Sequence, residues 1–364
     1  MGAPAAFTFG SFAHFAHVPR IARSARRTLL RLSALLLLLT AAAAAQTPRS
    51  PPNNLVLGPY EQPDGAITVF PDGVTVEPYF AMRALLAGAS LGLNVQPAAD
   101  RFIQWQAVHV GHTPAFARYC RQPPGEWRVC GAADADDVAL ALWIDLLFTT
   151  AGRSALSPER RHNVLAAAAA LGGLFDSHNG VYLVSRTLRV SLFMDNVEIA
   201  RAFDDVAQAQ DARRQHRAAA AWRARSARLR RAIDRVFWDA ATRTYRITTQ
   251  QRPAAPRAFY PDVVAEGYPS FFGYGSPSEA PATLFARWMA RYGSGWLGAR
   301  DHEFPWGLIA MAAGQYGDRA TVGCWLGAAI SLRHGPRWNV AEEAVLQGLM
   351  PSVGQGGAVP PCER

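Results

Sequence analysis

The sequence contains no lysine, and all 37 of its basic residues are arginine. Such a bias is typical of a GC-rich coding sequence, so the abundance of arginine does not by itself indicate nucleic-acid binding. The chain also lacks the P-loop and HExxH motifs, which leaves nucleotide-hydrolysis and zinc-protease functions without support. Since neither CxxC nor HxxxH spacing occurs, no metal site and no cofactor are predicted.

Residues 1–45 have the layout of a secretory signal. Five arginines between Arg20 and Arg31 precede LSALLLLLTAAAAAQT, a short leucine run that ends in small residues. Cleavage is predicted near Ala45–Gln46, and the run is too short for a comfortable membrane span, with an uncleaved anchor as the alternative. Removing those five arginines from the formal charge of +9 leaves +4, which does not call for a nucleic-acid partner. We therefore expect an exported bacterial protein, periplasmic or secreted, with no stable membrane span after cleavage.

The four cysteines are candidates for disulfides, because exported proteins mature in an oxidising compartment. Cys120 and Cys130 bracket RQPPGEWRV, so a bridge between them would close that loop. Cys324 and Cys362 would then tie the C-terminal tail to a late helix. Four cysteines allow three pairings, and the sequence alone leaves the choice open.

From Val76 onward the sequence predicts an all-α domain. Strongly apolar helices alternate with amphipathic, arginine-bearing ones, and helices that are apolar around most of their circumference are buried. This alternation predicts an (α/α)6 toroid of six inner helices over residues 76–364, after an extended lead-in at 46–75. Only five convincing outer helices follow, so the outer ring is predicted to be incomplete; an open array of helical pairs is the alternative. The acids that lead the six inner helices are Glu77, Asp136, Asp195, Asp262, Glu303 and Glu342.

The acids at these helix starts have two interpretations. Asp at a helix N-terminus is favourable by about 0.5–2 kcal/mol, so each acid taken alone can be a cap. In a toroid, however, the inner helices begin at one mouth, and their first-turn acids converge on one cavity. Glycoside cleavage needs one acid that protonates the departing oxygen and a second that activates water. Of the adjacent Asp136 and Asp137, we expect Asp136 to face inward.

Two segments, VTVEPYFAMRALLAGASLGL and ADADDVALALWIDLL, resemble glycoside hydrolases of the six-hairpin type. The resemblance is nearest to family 8, the bacterial cellulases and related endoglucanases. It implies that Glu77 is the general acid and that Asp136, together with Asp134, holds the sugar at the cleavage point. That family inverts, so a further Asp activates water, and Asp195 and Asp262 both qualify by position.

Aromatic residues lie beside the same helix starts. Flat aromatic faces stack on sugar rings, so a group of them at one mouth favours a carbohydrate cleft. Ordinary packing of helix ends is the alternative for any single member. The residues predicted to bind substrate in this way are Tyr79, Tyr260, Trp306 and Trp338.

The sequence therefore predicts hydrolysis of a glycosidic bond in a polysaccharide. Two alternatives stay open: a polysaccharide lyase with His178 as base and Tyr182 as its partner, and a non-catalytic carbohydrate-binding or scaffold protein. The nine arginines between Arg213 and Arg235 are interpreted as a solvated outer face, with an anionic polysaccharide track as the alternative.

Overall fold

The computed structural model describes residues 53–110, 116–123, 125–250, 257–298 and 304–354. The predicted signal, Glu303 and Cys362 lie outside those ranges. Within them, none of the helices combines the length and the apolar character that crossing a membrane requires.

Eleven α-helices form most of this part of the chain. Their bounds in chain order are α1 (Pro78–Ser90), α2 (Gln96–Val110), α3 (Asp136–Thr150), α4 (Pro158–Gly172), α5 (Phe193–Ala212), α6 (His216–Phe237), α7 (Val264–Phe271), α8 (Pro281–Gly298), α9 (Gly307–Gln315), α10 (Arg319–Ile330) and α11 (Val340–Gly354). The odd-numbered helices are the inner ones, and the even-numbered helices lie outside them.

The inner helices form a closed ring. Each packs against the next, and α11 packs against α1. Burial follows composition: in α3 the run from Val138 to Phe148 is buried throughout, whereas α6 buries one face through Leu229, Ile233 and Phe237 and exposes its arginines. The predicted all-α toroid with six inner and five outer helices is confirmed for the described ranges.

Short strands lie before α1 and in the connections between helices. Strands β1 (Thr75–Val76), β2 (Ala117–Gln122) and β3 (Glu126–Ala132) form an antiparallel sheet in that order. A disulfide joins Cys120 to Cys130 across β2 and β3, as one of the predicted pairings requires. Two further hairpins pair β4 (Phe175–Asp176) with β5 (Val181–Tyr182) and β6 (Trp238–Asp239) with β7 (Thr244–Tyr245).

The lead-in to the ring contributes to the core. Leu57, Tyr60 and Ile67 are almost completely buried. The backbone N–H of Val340 donates to the carbonyl of Val69, which ties the lead-in to the start of α11 at a distance of 2.9 Å. The segment thus covers the point at which the ring closes.

Candidate active site

Glu77 stands at the N-cap of α1, immediately after β1. Val76 pairs with Tyr119 in the antiparallel sheet, so Arg118, the residue before Tyr119, lies beside Glu77. The Arg118 Nε donates to Glu77 Oε2 at 3.0 Å. The Glu77 side chain is only 3% exposed, and Oε1 is buried with no hydrogen-bond partner in the described ranges. Burial raises the pKa of Glu77 against the opposing effect of Arg118. Glu77 is therefore suited to hold a proton.

The start of α3 contributes three acids with different exposures. Asp134 is exposed, Asp136 is half-buried and Asp137 is fully buried. The backbone N–H groups of Asp136 and Asp137 both donate to the carbonyl of Val184, which fixes the rotation of the first turn. This outcome differs from the expectation that Asp136 is the inward member of the pair, because the fixed rotation directs Asp137 into the ring and leaves Asp136 under the influence of Arg186.

Asp137 is buried beside other acids. Its Oδ1 accepts the N–H of Val138 at 2.8 Å, and its Oδ2 is buried with no partner in the described ranges. Burial raises the pKa of Asp137 to about 7, and the charges of Asp136 and Glu198 add to the rise.

Asp195 lies in the first turn of α5, across from α3. The side chain is half-buried, and its Oδ2 has no partner in the described ranges. Burial raises the pKa of Asp195 well above its usual value, with further contributions from Asp137, Glu198 and Asp134. The charge of Asp134 also raises the pKa of Glu77, while a hydrogen bond from the Asp134 backbone opposes that rise.

Glu198 follows one helical turn after Asp195 and is 3% exposed. Its Oε1 accepts the hydroxyl of Tyr79 at 2.9 Å and also that of Tyr268. Arg83, from the second turn of α1, brings a guanidinium nitrogen to 3.6 Å from Oε2. Helices α1, α5 and α7 thus meet at one polar contact inside the ring. Glu198 and Arg83 are functional candidates that sequence reasoning did not assign.

Asp262 occupies a different environment. It lies in a π-helical turn, Phe259–Val263, that leads into α7. Its Oδ2 accepts the N–H of Ala258 at 3.0 Å, which closes that turn. The buried acid of this region is Glu266, which contacts Arg257 and accepts the hydroxyl of Tyr292 at 2.8 Å.

The predicted aromatic residues divide into three groups. Tyr79 lies inside the carboxylate cluster and contacts Phe80 edge-on. Tyr260 is 49% exposed and lies against Trp306, with ring centroids 5.4 Å apart. Trp338 is fully buried: it stacks on Trp325 and its indole N–H donates to Glu343, so neither face is open to a sugar. The structure therefore places Trp338 in the core, away from any role as a stacking platform.

Replacing Trp338 with alanine is expected to lower the free energy of unfolding by about 3–5 kcal/mol, because a buried indole leaves a large cavity. Tyr260→Ala removes a half-exposed ring and should cost less than about 1 kcal/mol. Chemical denaturation of both variants measures the difference. A Trp338→Ala variant with unchanged stability and weakened glycan binding would restore Trp338 as a binding residue.

Glu342 connects two inner helices. Its Oε2 accepts the N–H of Gly307 at 2.7 Å, at the N-terminus of α9, where the preceding Trp306 has a positive φ of 57°. Burial raises the pKa of Glu342 to about 7, and hydrogen bonds from the backbone of Gly307 and Trp306 oppose the rise. This acid thus caps the neighbouring helix α9 and not the helix that it leads.

The raised pKa of Asp137 makes the stability of the fold depend on pH. Its pKa is 3.8 when unperturbed and about 7 in the fold, so between those pH values the unfolded chain releases a proton that the folded protein keeps. The stability that this proton supplies is complete below pH 3.8 and is lost as the pH rises through about 7.

An Asp137→Asn variant should therefore become more stable than the parent as the pH rises, with a melting temperature several degrees higher at neutral pH and no difference near pH 4. Thermal unfolding monitored by circular dichroism across this range measures the effect. Glu159→Gln is the matched control, since Glu159 is exposed on α4 and outside the acid cluster, and should track the parent. Identical pH profiles for Asp137→Asn and the parent would contradict the buried-acid assignment.

The cluster as a whole can perform acid–base chemistry. The charges of Asp137 and Glu198 raise the pKa of Asp195. The charge of Asp134 raises the pKa of both Asp195 and Glu77, so these acids cannot all be ionised near neutrality. Glu77, Asp137, Asp195 and Glu198 each keep one carboxylate oxygen without a hydrogen-bond partner in the described ranges. No group of three or more His, Cys, Asp or Glu residues within the described ranges is arranged to hold a metal ion.

Comparison with known proteins identifies the class of fold. No protein-family model matches the sequence, and no curated protein sequence matches it significantly. Among solved structures, a GH63 mannosylglycerate hydrolase from Thermus thermophilus, in complex with glucose, is similar at a TM-score of 0.52 and 12% identity over 81% of this chain and 98% of that chain. A mutant of Rex8A from Paenibacillus barcinonensis, complexed with xylose, gives 0.51 and 14% over 89% and 94%. The chain thus has the (α/α)6 fold of six-hairpin glycosidases.

Endoglucanase Cel10, a family 8 glycosyl hydrolase from Klebsiella pneumoniae, is 16% identical over 81% of this chain and 96% of that chain, with a TM-score of 0.48. That score is too low to carry an argument. The resemblance to family 8 therefore continues to depend on the two sequence segments that suggested it.

Proposed function

We propose that this protein is an exported glycoside hydrolase that cleaves a polysaccharide with inversion. The observation that carries the proposal is the position of two carboxylates, Glu77 and Asp195, at the starts of two inner helices. Both are shielded carboxylates with raised pKa values, and each has an oxygen without a partner in the described ranges. The similarity in fold to glycosidases supports the same chemistry.

Glu77 is proposed as the general acid. A raised pKa keeps the carboxyl protonated until the glycosidic oxygen needs the proton. Arg118 fixes Oε2 at 3.0 Å, which leaves Oε1 as the oxygen that can face the leaving group. Protonation of that oxygen and cleavage of its bond to the anomeric carbon then occur together.

Asp195 is proposed as the base that removes a proton from the attacking water. Its Oδ2 has no hydrogen-bond partner in the described ranges. The raised pKa of Asp195 makes its ionised form a stronger proton acceptor, and the base acts in that ionised form. Asp262 is the weaker candidate, since its carboxylate already accepts the Ala258 N–H within its own turn.

Four of the remaining predicted residues are proposed to bind the sugar. Asp134, which is exposed, accepts hydrogen bonds from sugar hydroxyls at the cleavage point. Asp136, on which the charge of Arg186 acts, does the same. Tyr260 and Trp306 offer their paired rings for stacking, and Tyr79 holds Glu198 in place.

Incubating the mature protein with a panel of polysaccharides and following reducing ends tests the proposal. Proton NMR of the first products should show the anomer opposite to that of the substrate linkage. Products that are unsaturated and absorb in the ultraviolet would instead indicate a lyase, and binding without any turnover would indicate a carbohydrate-binding protein. Export is tested separately by the mass of the mature N-terminus.

A further inference from the structure

A groove of about 610 Å³ lies between the outer helices α4 and α6. On α4 it is lined by Ala168 and Gly172, whose small side chains leave space that α6 does not fill. Its floor includes Ile144 of α3 and Phe203 of α5. The volume lies within the range of about 300–1,000 Å³ that is typical of small-molecule sites.

One wall of the groove is strongly positive. It carries four exposed arginines from α6, Arg225, Arg228, Arg231 and Arg235, and none of the described residues that line the groove is acidic. None of the four forms an ion pair with a residue of the described ranges. By contrast, Arg223, which does not line the groove, is paired with Asp211. The wall is therefore a concentration of uncompensated positive charge.

Aromatic rings face this charge. Tyr182 and Phe175, on the β4–β5 hairpin, lie with ring centroids 5.3 Å apart, and Phe175 is 45% exposed. Burial raises the pKa of the Tyr182 phenol, and the charges of Arg225 and Arg228 oppose the rise, so both guanidinium groups act on that phenol. The Arg225 guanidinium also lies 4.7 Å from the centre of the Trp222 ring. The groove is thus lined by both guanidinium groups and aromatic rings.

This combination suits a chain of acidic sugar rings. Guanidinium groups bind carboxylates through paired N–H donors, and aromatic faces pack against the apolar side of a sugar ring. A neutral glycan would leave the arginines unpaired. A single charged group would not use the length of the groove.

A hydrogen-bonded contact links one wall of the groove to the helix that carries Asp195. The side chain of Asn196, next to Asp195 in α5, accepts the backbone N–H of Tyr182 at 2.7 Å and donates to its carbonyl at 3.1 Å. Arg186, in the segment that follows the hairpin, acts on Asp136. Positive charge therefore continues from the groove towards the start of α3.

We propose that this groove binds a uronate-bearing segment of a glycan, with the sugar carboxylates on Arg225 and Arg228 and the rings on Trp222 and Tyr182. The choice of a glycan over other polyanions rests on the proposed function of the neighbouring carboxylate cluster. In that context, the groove selects acidic polysaccharides and holds a chain whose continuation reaches the mouth of the ring.

Isothermal titration calorimetry of the full mature protein with an oligogalacturonate, compared with a neutral cello-oligosaccharide of equal length, tests the proposal. The acidic sugar should bind with an affinity that falls as salt is added, and the neutral one should bind at least about tenfold more weakly. The double variant Arg225→Gln/Arg228→Gln should lose about tenfold in affinity for the oligogalacturonate, as expected for two exposed ion pairs. Arg217→Gln, exposed on the same helix and outside the groove, is the matched control and should bind like the parent.

Two results would overturn the assignment: no binding of oligogalacturonate by the parent, or undiminished binding by the double variant. A sulfated oligosaccharide, a polyglutamate peptide or a single-stranded oligonucleotide that binds more tightly than oligogalacturonate would also overturn it, because the groove would then be a site for another class of polyanion. The Glu77→Gln variant separates this proposal from the proposed function, since it should bind oligogalacturonate in the groove like the parent even if no glycan is hydrolysed.

Discussion

A Glu77→Gln variant is expected to hydrolyse the natural polysaccharide about 10²–10⁴-fold more slowly than the parent. Glutamine keeps the shape of the side chain and can still accept the hydrogen bond from Arg118, but it has no proton to give to the glycosidic oxygen. In the parent, the rate should fall as the pH rises through the raised pKa of Glu77, because the acid must be protonated. Initial rates over a pH series, together with the melting temperature, measure both effects.

The leaving group provides a sharper version of this test. An aryl glycoside with a very acidic phenol needs little protonation, so Glu77→Gln should retain most activity on it while losing activity on the polysaccharide. Glu159→Gln, exposed in the first turn of α4, is the matched control and should behave like the parent. Full activity of Glu77→Gln on the polysaccharide, at unchanged stability, would refute the general-acid assignment.

The second large effect is expected at Asp195. Asp195→Asn should reduce turnover by about 10²–10⁴-fold on every substrate, including those with good leaving groups, because the attacking water loses its base whatever group departs. Substrate binding should weaken little, since asparagine has the same size and retains a carbonyl oxygen. Steady-state kinetics should therefore show a fall in kcat with KM nearly constant.

Asp262→Asn is the matched comparison for that experiment, because both acids were candidates for the base by position. Its Oδ2 closes a local turn through the Ala258 N–H, so the substitution should leave kcat within a few-fold of the parent. A large loss of kcat in Asp262→Asn, with little effect on kcat in Asp195→Asn, would show that Asp262 is the base and that Asp195 is not.

The ring could be predicted because its sequence signal is strong. In α3, a helix apolar on every side has no polar face to show to water, so its burial follows from composition alone. The alternation of such helices with amphipathic ones, of which α6 is the clearest, then predicts two layers. The acids of α1, α3 and α5 were found by the same reasoning, since an acid before an apolar run marks the helix start.

The orientation of individual side chains could not be predicted. Adjacent residues on a helix point about 100° apart, so whether Asp136 or Asp137 faces the axis depends on the rotation of α3. That rotation is fixed by hydrogen bonds to the carbonyl of Val184, about 50 residues away in sequence. Trp338 was misplaced for a related reason: its position near a helix start does not reveal that its indole N–H finds Glu343 inside the core.

The contacts between helices could not be predicted from the sequence either. Glu198 follows Asp195 at i+3, a spacing that is also found in capping boxes. The structure uses Glu198 instead to accept the hydroxyls of Tyr79 and Tyr268 from two other inner helices. Such a contact depends on closure of the ring, which local sequence does not encode.

The most direct test is a crystal structure of the Glu77→Gln variant soaked with an oligosaccharide of the substrate that the parent cleaves. The sugar should lie at the start of the inner helices, with the side chain at position 77 within hydrogen-bond reach of the glycosidic oxygen. Asp195 should lie across the ring of the sugar, about 6.5–9.5 Å from that side chain, with a water molecule between it and the anomeric carbon. A sugar bound anywhere else, or a separation of about 5–5.5 Å with no room for water, would contradict the proposed acid–base pair.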